Sequence, residues 1–158
     1  MNFGKYFYKS FFDFDQTEIY NRVVDAVMFK DVASRIYQDP DLYNPLWINV
    51  SLIFFLSVFT NIASALNFRG EGVFSFNYAL VEKGFSTIFG FGIVMPLIFI
   101  LLFYLFGMDM NIKTGFGIIS IYNYSNIFFI FGTIGALIPN WLISFIILIV
   151  FAALSVIF

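Results

Sequence analysis

Long uncharged stretches alternate with short charged segments along this chain of 158 residues. Residues 42–68, 84–108 and 114–158 carry no Asp, Glu, Lys or Arg. A helix of about 20 apolar residues crosses the roughly 30 Å core of a bilayer. Each of the first two stretches therefore predicts one membrane span, and the third stretch is long enough for two.

The dipeptide Pro139-Asn140 divides the third stretch. Proline lacks a backbone N–H and disfavours helix at the preceding residue, so we expect a tight helical hairpin at this position. The predicted spans are 46–66, 85–106, 115–137 and 141–158. The sequence thus predicts an all-α fold, a polytopic transmembrane helical bundle that occupies residues 42–158.

Residues 1–41 form a different, charged segment. Within it, residues 17–38 have the pattern of an amphipathic helix, which ends at Asp39-Pro40. The apolar stripe of this helix consists of Tyr20, Val24, Met28, Val32 and Ile36. Three locations fit the pattern: against the cytosolic face of the bundle, in the lipid interface, or on a partner helix.

The basic residues indicate the orientation of the chain. Lys30, Arg35 and Lys113 fall on one side of the predicted spans, and Arg69 and Lys83 fall on the other. Because cytosolic loops carry more Lys and Arg, this distribution predicts a cytosolic N-terminus.

Composition agrees with a membrane protein and argues against catalysis. Hydrophobic residues make up 61% of the chain and charged residues 11%, where a soluble domain has about 25% charged residues. The net charge of −2 and the lack of a basic run argue against nucleic-acid binding. The chain has no His or Cys, and no ionisable acid or base lies inside a predicted span. We therefore predict no catalytic residue, no metal site and no cofactor, and a protein that is not an enzyme.

Polar residues inside the spans have two interpretations. Asn61, Asn123 and Asn126 are suited to hydrogen bonds between helices. The alternative is a polar track for a passing substrate.

Several short motifs, in order along the chain, resemble one known family. Residues 41–48 read Asp-Leu-Tyr-Asn-Pro-Leu-Trp-Ile, which is similar to the Asp-Leu-Tyr-Gly-Pro-Phe-Trp-Ile block that opens the first span of Yip (Ypt/Rab-interacting protein) domains. Residues 122–125, Tyr-Asn-Tyr-Ser, resemble the family's Tyr-Gly-Tyr-Ser. In both motifs Asn replaces Gly, and both residue types tolerate turn conformations.

Weaker matches flank these two motifs. Residues 8–17 resemble the family's Tyr-Phe-Asp-Val-Asp-Thr block, and residues 21–24 follow it as in the branch that contains the human Golgi-resident Yip-domain members. Residues 138–143 resemble the entry to the family's fourth span. The positions that the resemblance marks as structural or partner-binding are Asp13, Asp15, Thr17, Arg22, Asp41, Leu42, Tyr43, Pro45, Trp47, Tyr122, Tyr124, Ser125, Pro139 and Trp141.

The resemblance implies a location and a class of partner. Members of the family have a cytosolic N-terminus and normally five spans, so it implies a further span beyond the four seen here. They reside in Golgi, endoplasmic reticulum or endosomal membranes and act in vesicle-mediated transport. They bind Rab-type small GTPases and other Yip-family membrane proteins, as homo- or hetero-oligomers in membrane lipid, and have no established catalytic reaction.

The sequence therefore leads to a hypothesis with two alternatives. In the main hypothesis the chain is a non-catalytic scaffold whose segment 1–41 recruits Rab GTPases, while the spans retain it in the membrane. The first alternative is a small passive channel or lipid transporter that uses the polar track. The second is a membrane-shaping protein that wedges its amphipathic helix into lipid.

Overall fold

The computed structural model describes residues 15–30, 32–70 and 73–158, and the regular structure within them is helical. The helices are numbered here in chain order. Their bounds are α1 Gln16–Val27, α2 Ala33–Gln38, α3 Tyr43–Leu66, α4 Ala79–Leu105, α5 Ile112–Ser125, α6 Ile127–Gly132, a 3₁₀ segment Thr133–Leu137 and α7 Trp141–Ile157.

In the described part of the chain, three helical units are long and apolar enough to cross a membrane. They are α3 with 24 residues, α4 with 27, and the nearly continuous unit Ile112–Leu137 with 26. The fourth predicted span corresponds to α7, whose 17 residues measure about 26 Å at the usual helical rise. Three of the four predicted spans thus have the length that a bilayer requires, and the fourth is a shorter apolar helix.

The predicted hairpin at Pro139 is present. Asn140 begins α7, because its side-chain oxygen accepts hydrogen bonds from the N–H groups of Leu142 (3.0 Å) and Ile143 (3.4 Å). The helix then returns along α6 and the 3₁₀ segment. At Gly135 an added Cβ would lie 3.3 Å from a side-chain atom of α7, so the absence of a side chain there permits this close packing.

The single helix predicted over residues 17–38 is not confirmed; two helices, α1 and α2, occupy this region. The chain turns at Phe29, which has a φ of 53°, a conformation that breaks a right-handed helix. The Phe29 ring stacks on Phe128 with the ring centroids 4.9 Å apart. A contact with a distant part of the chain therefore accompanies the break.

The predicted apolar stripe is only partly the buried face of these helices. Val32 and Ile36 are fully buried, but Tyr20 is 67% exposed and Met28 is 65% exposed. The face of α1 that packs inward instead includes Arg22 and Ala26. Ion pairs around Arg22, described below, make the burial of that side chain possible.

The core lies where the N-terminal helices meet the spans. Its buried members come from α1 and α2, the residue before α2, the first turns of α3, and the junction of α5 with α6: Ala26, Val32, Ile36, Ile48, Tyr124, Ile127 and Phe128. Of the three locations considered for the amphipathic segment, the described residues place it against the helical bundle.

Candidate functional site

Asp41 is a fully buried acidic residue between the N-terminal segment and α3. Its Oδ1 atom accepts hydrogen bonds from the backbone N–H groups of Tyr43 (2.8 Å) and Asn44 (3.2 Å). Its Oδ2 atom accepts one from the hydroxyl of Tyr124, at 2.6 Å. The bonds to Oδ1 satisfy free N–H groups at the start of α3. The bond to Oδ2 links the start of α3 to Tyr124 in the third span.

Two more buried side chains complete this network. Asn44 donates from Nδ2 to the Tyr124 hydroxyl at 2.6 Å and to the backbone carbonyl of Ile19 in α1 at 3.4 Å. The Ser120 hydroxyl donates to the backbone carbonyl of Asp41. We call Asp41, Asn44, Ser120 and Tyr124 the Asp41 joint. It connects α1, the start of α3 and α5 in one set of hydrogen bonds.

Arg22 fixes α1 to the segment that leads into this joint. Its side chain is 7% exposed, and Nη2 lies 2.6 Å from a Glu18 carboxylate oxygen and 3.3 Å from one of Asp39. Nη1 donates to the backbone carbonyl of Asp39 at 2.9 Å. Because an unpaired buried charge is costly, these partners explain how a cation can occupy the inner face of α1.

A second set of ion pairs spans the turn between α1 and α2. Asp25 binds Lys30 at 2.9 Å and Arg35 at 2.7 Å. The hydrogen bond from Arg35, followed by that from Lys30, holds the pKa of the Asp25 carboxyl below its ordinary value of 3.8. Both cations are exposed, so solvent screens these pairs and their contribution to stability is modest.

Asparagines connect the three spans, from the second turn of α3 to the middle of α4 and the junction of α5 with α6. Asn49 donates to the side-chain oxygen of Asn123 at 2.7 Å, and Asn126 donates to that of Asn49 at 2.9 Å. Asn123 in turn donates to the backbone carbonyls of Gly92 (3.0 Å) and Ile119 (2.8 Å). We call Asn49, Asn123 and Asn126 the asparagine cluster. Bonds of this kind between membrane helices contribute about 0.6–2 kcal/mol each.

Both networks suit the positioning of helices rather than reaction chemistry. In the Asp41 joint, the carboxylate oxygens already accept bonds from a helix start and from Tyr124. In the asparagine cluster, the amides bond to one another and to backbone carbonyls. The arrangement can hold the N-terminal helices against the spans and the spans against each other.

The Yip1 domain matches residues 27–158 of this chain, well over half of its length. The chain belongs to the Yip1-domain family. A relative named protein YIPF1 homolog, from Dictyostelium discoideum, is 24% identical over 154 residues, which cover 96% of this chain and 44% of the relative. The chain thus spans less than half the length of that relative. No solved structure matches it.

The structure brings together two of the motifs that the sequence marks in this Yip1-domain chain. Asp41, from the first motif, and Tyr124, from the second, are 83 residues apart in sequence and share a hydrogen bond. Leu42, Tyr43 and Pro45 lie in or beside the first turn of α3. The matched motifs therefore meet in the Asp41 joint.

Other marked residues lie outside the joint. Ser125 donates to the backbone carbonyl of Tyr122 at 2.7 Å, while Pro139 and Trp141 lie at the turn into α7. Trp47 is 52% exposed and lies near the start of α3, and aromatic residues are common at the ends of spans.

The earliest marked residues lie at or before the start of α1. Thr17 donates to the carboxylate of Asp15, and both residues are exposed. Asp13 lies outside the described residues. Arg22 is buried, and it contacts Asp39 in the segment that leads to Asp41.

The two asparagines that replace family glycines had different outcomes. The role of Asn44 was missed: it is part of α3 rather than a turn, and its amide group reaches Tyr124. The interpretation of Asn123 as a residue that hydrogen-bonds between helices is confirmed, since it is the centre of the asparagine cluster. An amide side chain placed in an apolar span was the available signal, because such a group requires partners in lipid.

Proposed function

We propose that this chain is a non-catalytic scaffold of vesicle-mediated transport in Golgi or endoplasmic reticulum membranes. In this proposal it binds Rab-type small GTPases and related Yip-family membrane proteins, with its N-terminus in the cytosol. Membership of the Yip1-domain family and similarity to a YIPF1 homolog support the proposal. The observation that carries it is the attachment of α1 and α2 to the spans: α1 through the Asp41 joint and α2 through close packing of Tyr37 on Gly117 of α5.

This attachment presents a defined outer face to partners. Tyr20 and Met28 are 67% and 65% exposed, and the cations Lys30, in the turn after α1, and Arg35, in α2, are also exposed. Exposed aromatic residues and arginine are the residue types that contribute most to protein interfaces. We assign this face of α1 and α2 to Rab binding.

Deleting residues 1–41 would be a poor test of Rab binding by α1 and α2, because the deletion would also remove Asp41 and disturb α3. A sharper test combines Tyr20→Ala with Met28→Ala, which changes the outer face and spares the joint. Tyr78→Ala is the matched control, since Tyr78 is 76% exposed in the loop at the far end of α3. The readout is co-purification of prenylated Rab proteins and tagged Yip-family relatives from mild detergent.

We expect the double variant to recover about tenfold less Rab, because the loss of a good interface contact weakens the affinity by about that factor. The control should recover as much Rab as the parent protein. Equal recovery from all three proteins would contradict the proposed binding face. Protease protection of an N-terminal tag in sealed Golgi-derived vesicles would contradict the cytosolic N-terminus.

The alternative of a polar substrate track has little support. Asn61 bonds to the backbone of Ser57 and Asn77, whereas Asn123 and Asn126 belong to the asparagine cluster. These amides form two separate bonded groups instead of one row. The membrane-shaping alternative also has little support, because the buried side of α1 packs on protein rather than lipid.

A further inference from the structure

A large cavity runs between α3, α4, the 3₁₀ segment and α7. Its volume is about 780 Å³. Along α3 its lining extends from Leu52 to Asn67, which corresponds to about 22 Å at 1.5 Å per residue. The cavity is therefore long and narrow, and it lies within the membrane-spanning part of the protein.

The two ends of the cavity differ in character from its walls. At the inner end, beside the asparagine cluster, lie Tyr122 and Asn126; at the outer end lie Asn67 and Trp141. The walls between them are mainly apolar, with hydroxyl groups from Thr87 and Thr133, and among the described residues that line the cavity no side chain is charged. These features suit an uncharged, hydrophobic rod with a more polar group at one end.

The backbone keeps the cavity open. Close packing at Gly132 and Gly135 holds α7 on the third span, since a Cβ at Gly132 would lie 3.4 Å from Phe151 and one at Gly135 would lie 3.3 Å from Ile147. Because α7 is held there, it cannot move inward to fill the space. An empty space of this size would forfeit the dispersion contacts of its whole lining, and apolar walls do not hold water.

The lining of the cavity favours a hydrocarbon chain as its occupant. The walls carry no charge among the described lining residues, so they offer nothing that would hold a charged or strongly polar ligand. A hydrocarbon chain is thin, uncharged and the commonest molecule around a membrane helix. The tryptophan at the outer end suits the boundary between hydrocarbon and headgroups.

We propose that the cavity binds an acyl chain of one membrane phospholipid, whose headgroup lies beside Trp141 and Asn67. This site is independent of the proposed binding face on α1 and α2. It makes a bound lipid part of the folded protein and adds a lipid-binding activity to the scaffold.

The two tryptophans of the chain make the proposal testable by fluorescence. Trp47 lies near the start of α3, away from the cavity, and Trp141 lines it. The Trp47→Phe variant therefore reports from Trp141 alone. It is purified without added lipid in detergent and titrated with phosphatidylcholine brominated on its acyl chains, because bromine quenches tryptophan emission at short range.

We expect saturable quenching at about one lipid per protein, and recovery of emission when unbrominated phosphatidylcholine competes. Adding Ala63→Phe should weaken binding at least fivefold, because Ala63 lines the cavity. Ala65→Phe is the matched control, since Ala65 is an exposed residue of the same helix and should leave binding unchanged.

Three outcomes would overturn the proposal. One is quenching that rises linearly with lipid and does not differ among the variants. Another is quenching that unbrominated lipid does not relieve, a result that does not depend on the folding of any cavity variant. The third is a lipid-free dimer that Ala63→Phe converts to a monomer, which would assign the cavity to a second copy of the chain.

Discussion

Replacing Asp41 should detach the N-terminal helices from the spans. In Asp41→Ala the start of α3 loses its side-chain acceptor, which costs about 0.5–2 kcal/mol. The buried Tyr124 hydroxyl also loses its acceptor, at a further cost of about 1–3 kcal/mol. The sum is about 1.5–5 kcal/mol, or a decrease of roughly 3–20 °C in Tm for a chain of this size.

Asp41→Asn should destabilise the protein less than Asp41→Ala does. Its single side-chain oxygen can still accept the bonds from the N–H groups of Tyr43 and Asn44, but the Tyr124 hydroxyl proton then has no acceptor. We therefore expect about half of the loss seen in Asp41→Ala. Asp109→Ala is the matched control: Asp109 is an exposed residue of the loop between α4 and α5, so its loss should cost under about 0.5 kcal/mol.

The assay is thermal unfolding of the purified proteins in one detergent, together with the rate of proteolysis between α1 and α3. A double-mutant cycle of Asp41→Asn with Tyr124→Phe measures the coupling of the two side chains, which should exceed about 0.5 kcal/mol. Equal effects of Asp41→Ala and Asp109→Ala on Tm, together with additive effects in the double-mutant cycle, would refute the Asp41 joint.

Three other predictions follow from packing and charge. Gly92→Ala should destabilise by about 1–3 kcal/mol, because its Cβ would lie 2.5 Å from an oxygen of the asparagine cluster; Gly90→Ala, with nothing within 4 Å, should be neutral in the same melting assay. Gly117→Leu should push α2 away and speed its proteolysis, since the backbone of α2 lies 3.4 Å from the Cβ position. Gly115→Leu faces only a flexible side-chain end at 3.7 Å and should change the rate little. Because the folded-state pKa of Asp25 is lowered, its stabilising effect is present above the unfolded value of about 3.8 and is lost as pH falls through the folded value. Protease resistance of the α1–α2 turn should therefore decrease on acidification, and Asp25→Asn should remove that part of the pH dependence.

The spans could be predicted from sequence because their signal is local. A run of apolar residues without charge is sufficient to indicate a membrane helix, and the hairpin at Pro139 follows from the chemistry of proline. The bounds shift by a few residues: α4 begins at Ala79 rather than at residue 85, because the charged residues of its first turn can extend beyond the hydrocarbon.

The break between α1 and α2 could not be predicted in this way. It depends on the contact of Phe29 with Phe128, which is far away in sequence. The inner face of α1 was also misassigned, because periodicity places apolar residues inside and has no means to anticipate a buried arginine. Arg22 becomes an inner residue only when Glu18 and Asp39 both reach it.

Individual residues of the candidate site could be predicted from the sequence, but the hydrogen bonds between them could not. The motif resemblance marked Asp41 and Tyr124 separately, but their hydrogen bond depends on how α3 packs on α5. Asn44 was interpreted as a substitute for a turn glycine, whereas Asn123 was correctly expected to hydrogen-bond between helices. Their side chains bond across 80 and 31 residues of sequence, and no local pattern identifies those particular partners.

The most direct test of the central claim is a cross-link between α2 and α5 in native membranes. The chain has no cysteine, and the Cα atom of Tyr37 lies 3.4 Å from the Cβ position of Gly117, within reach of a disulfide. Tyr37→Cys with Gly117→Cys should form an intramolecular disulfide rapidly on mild oxidation, whereas Tyr20→Cys with Gly117→Cys should not. Equal rates for the two pairs, or cross-links formed only between chains, would show that the N-terminal helices do not dock on the spans.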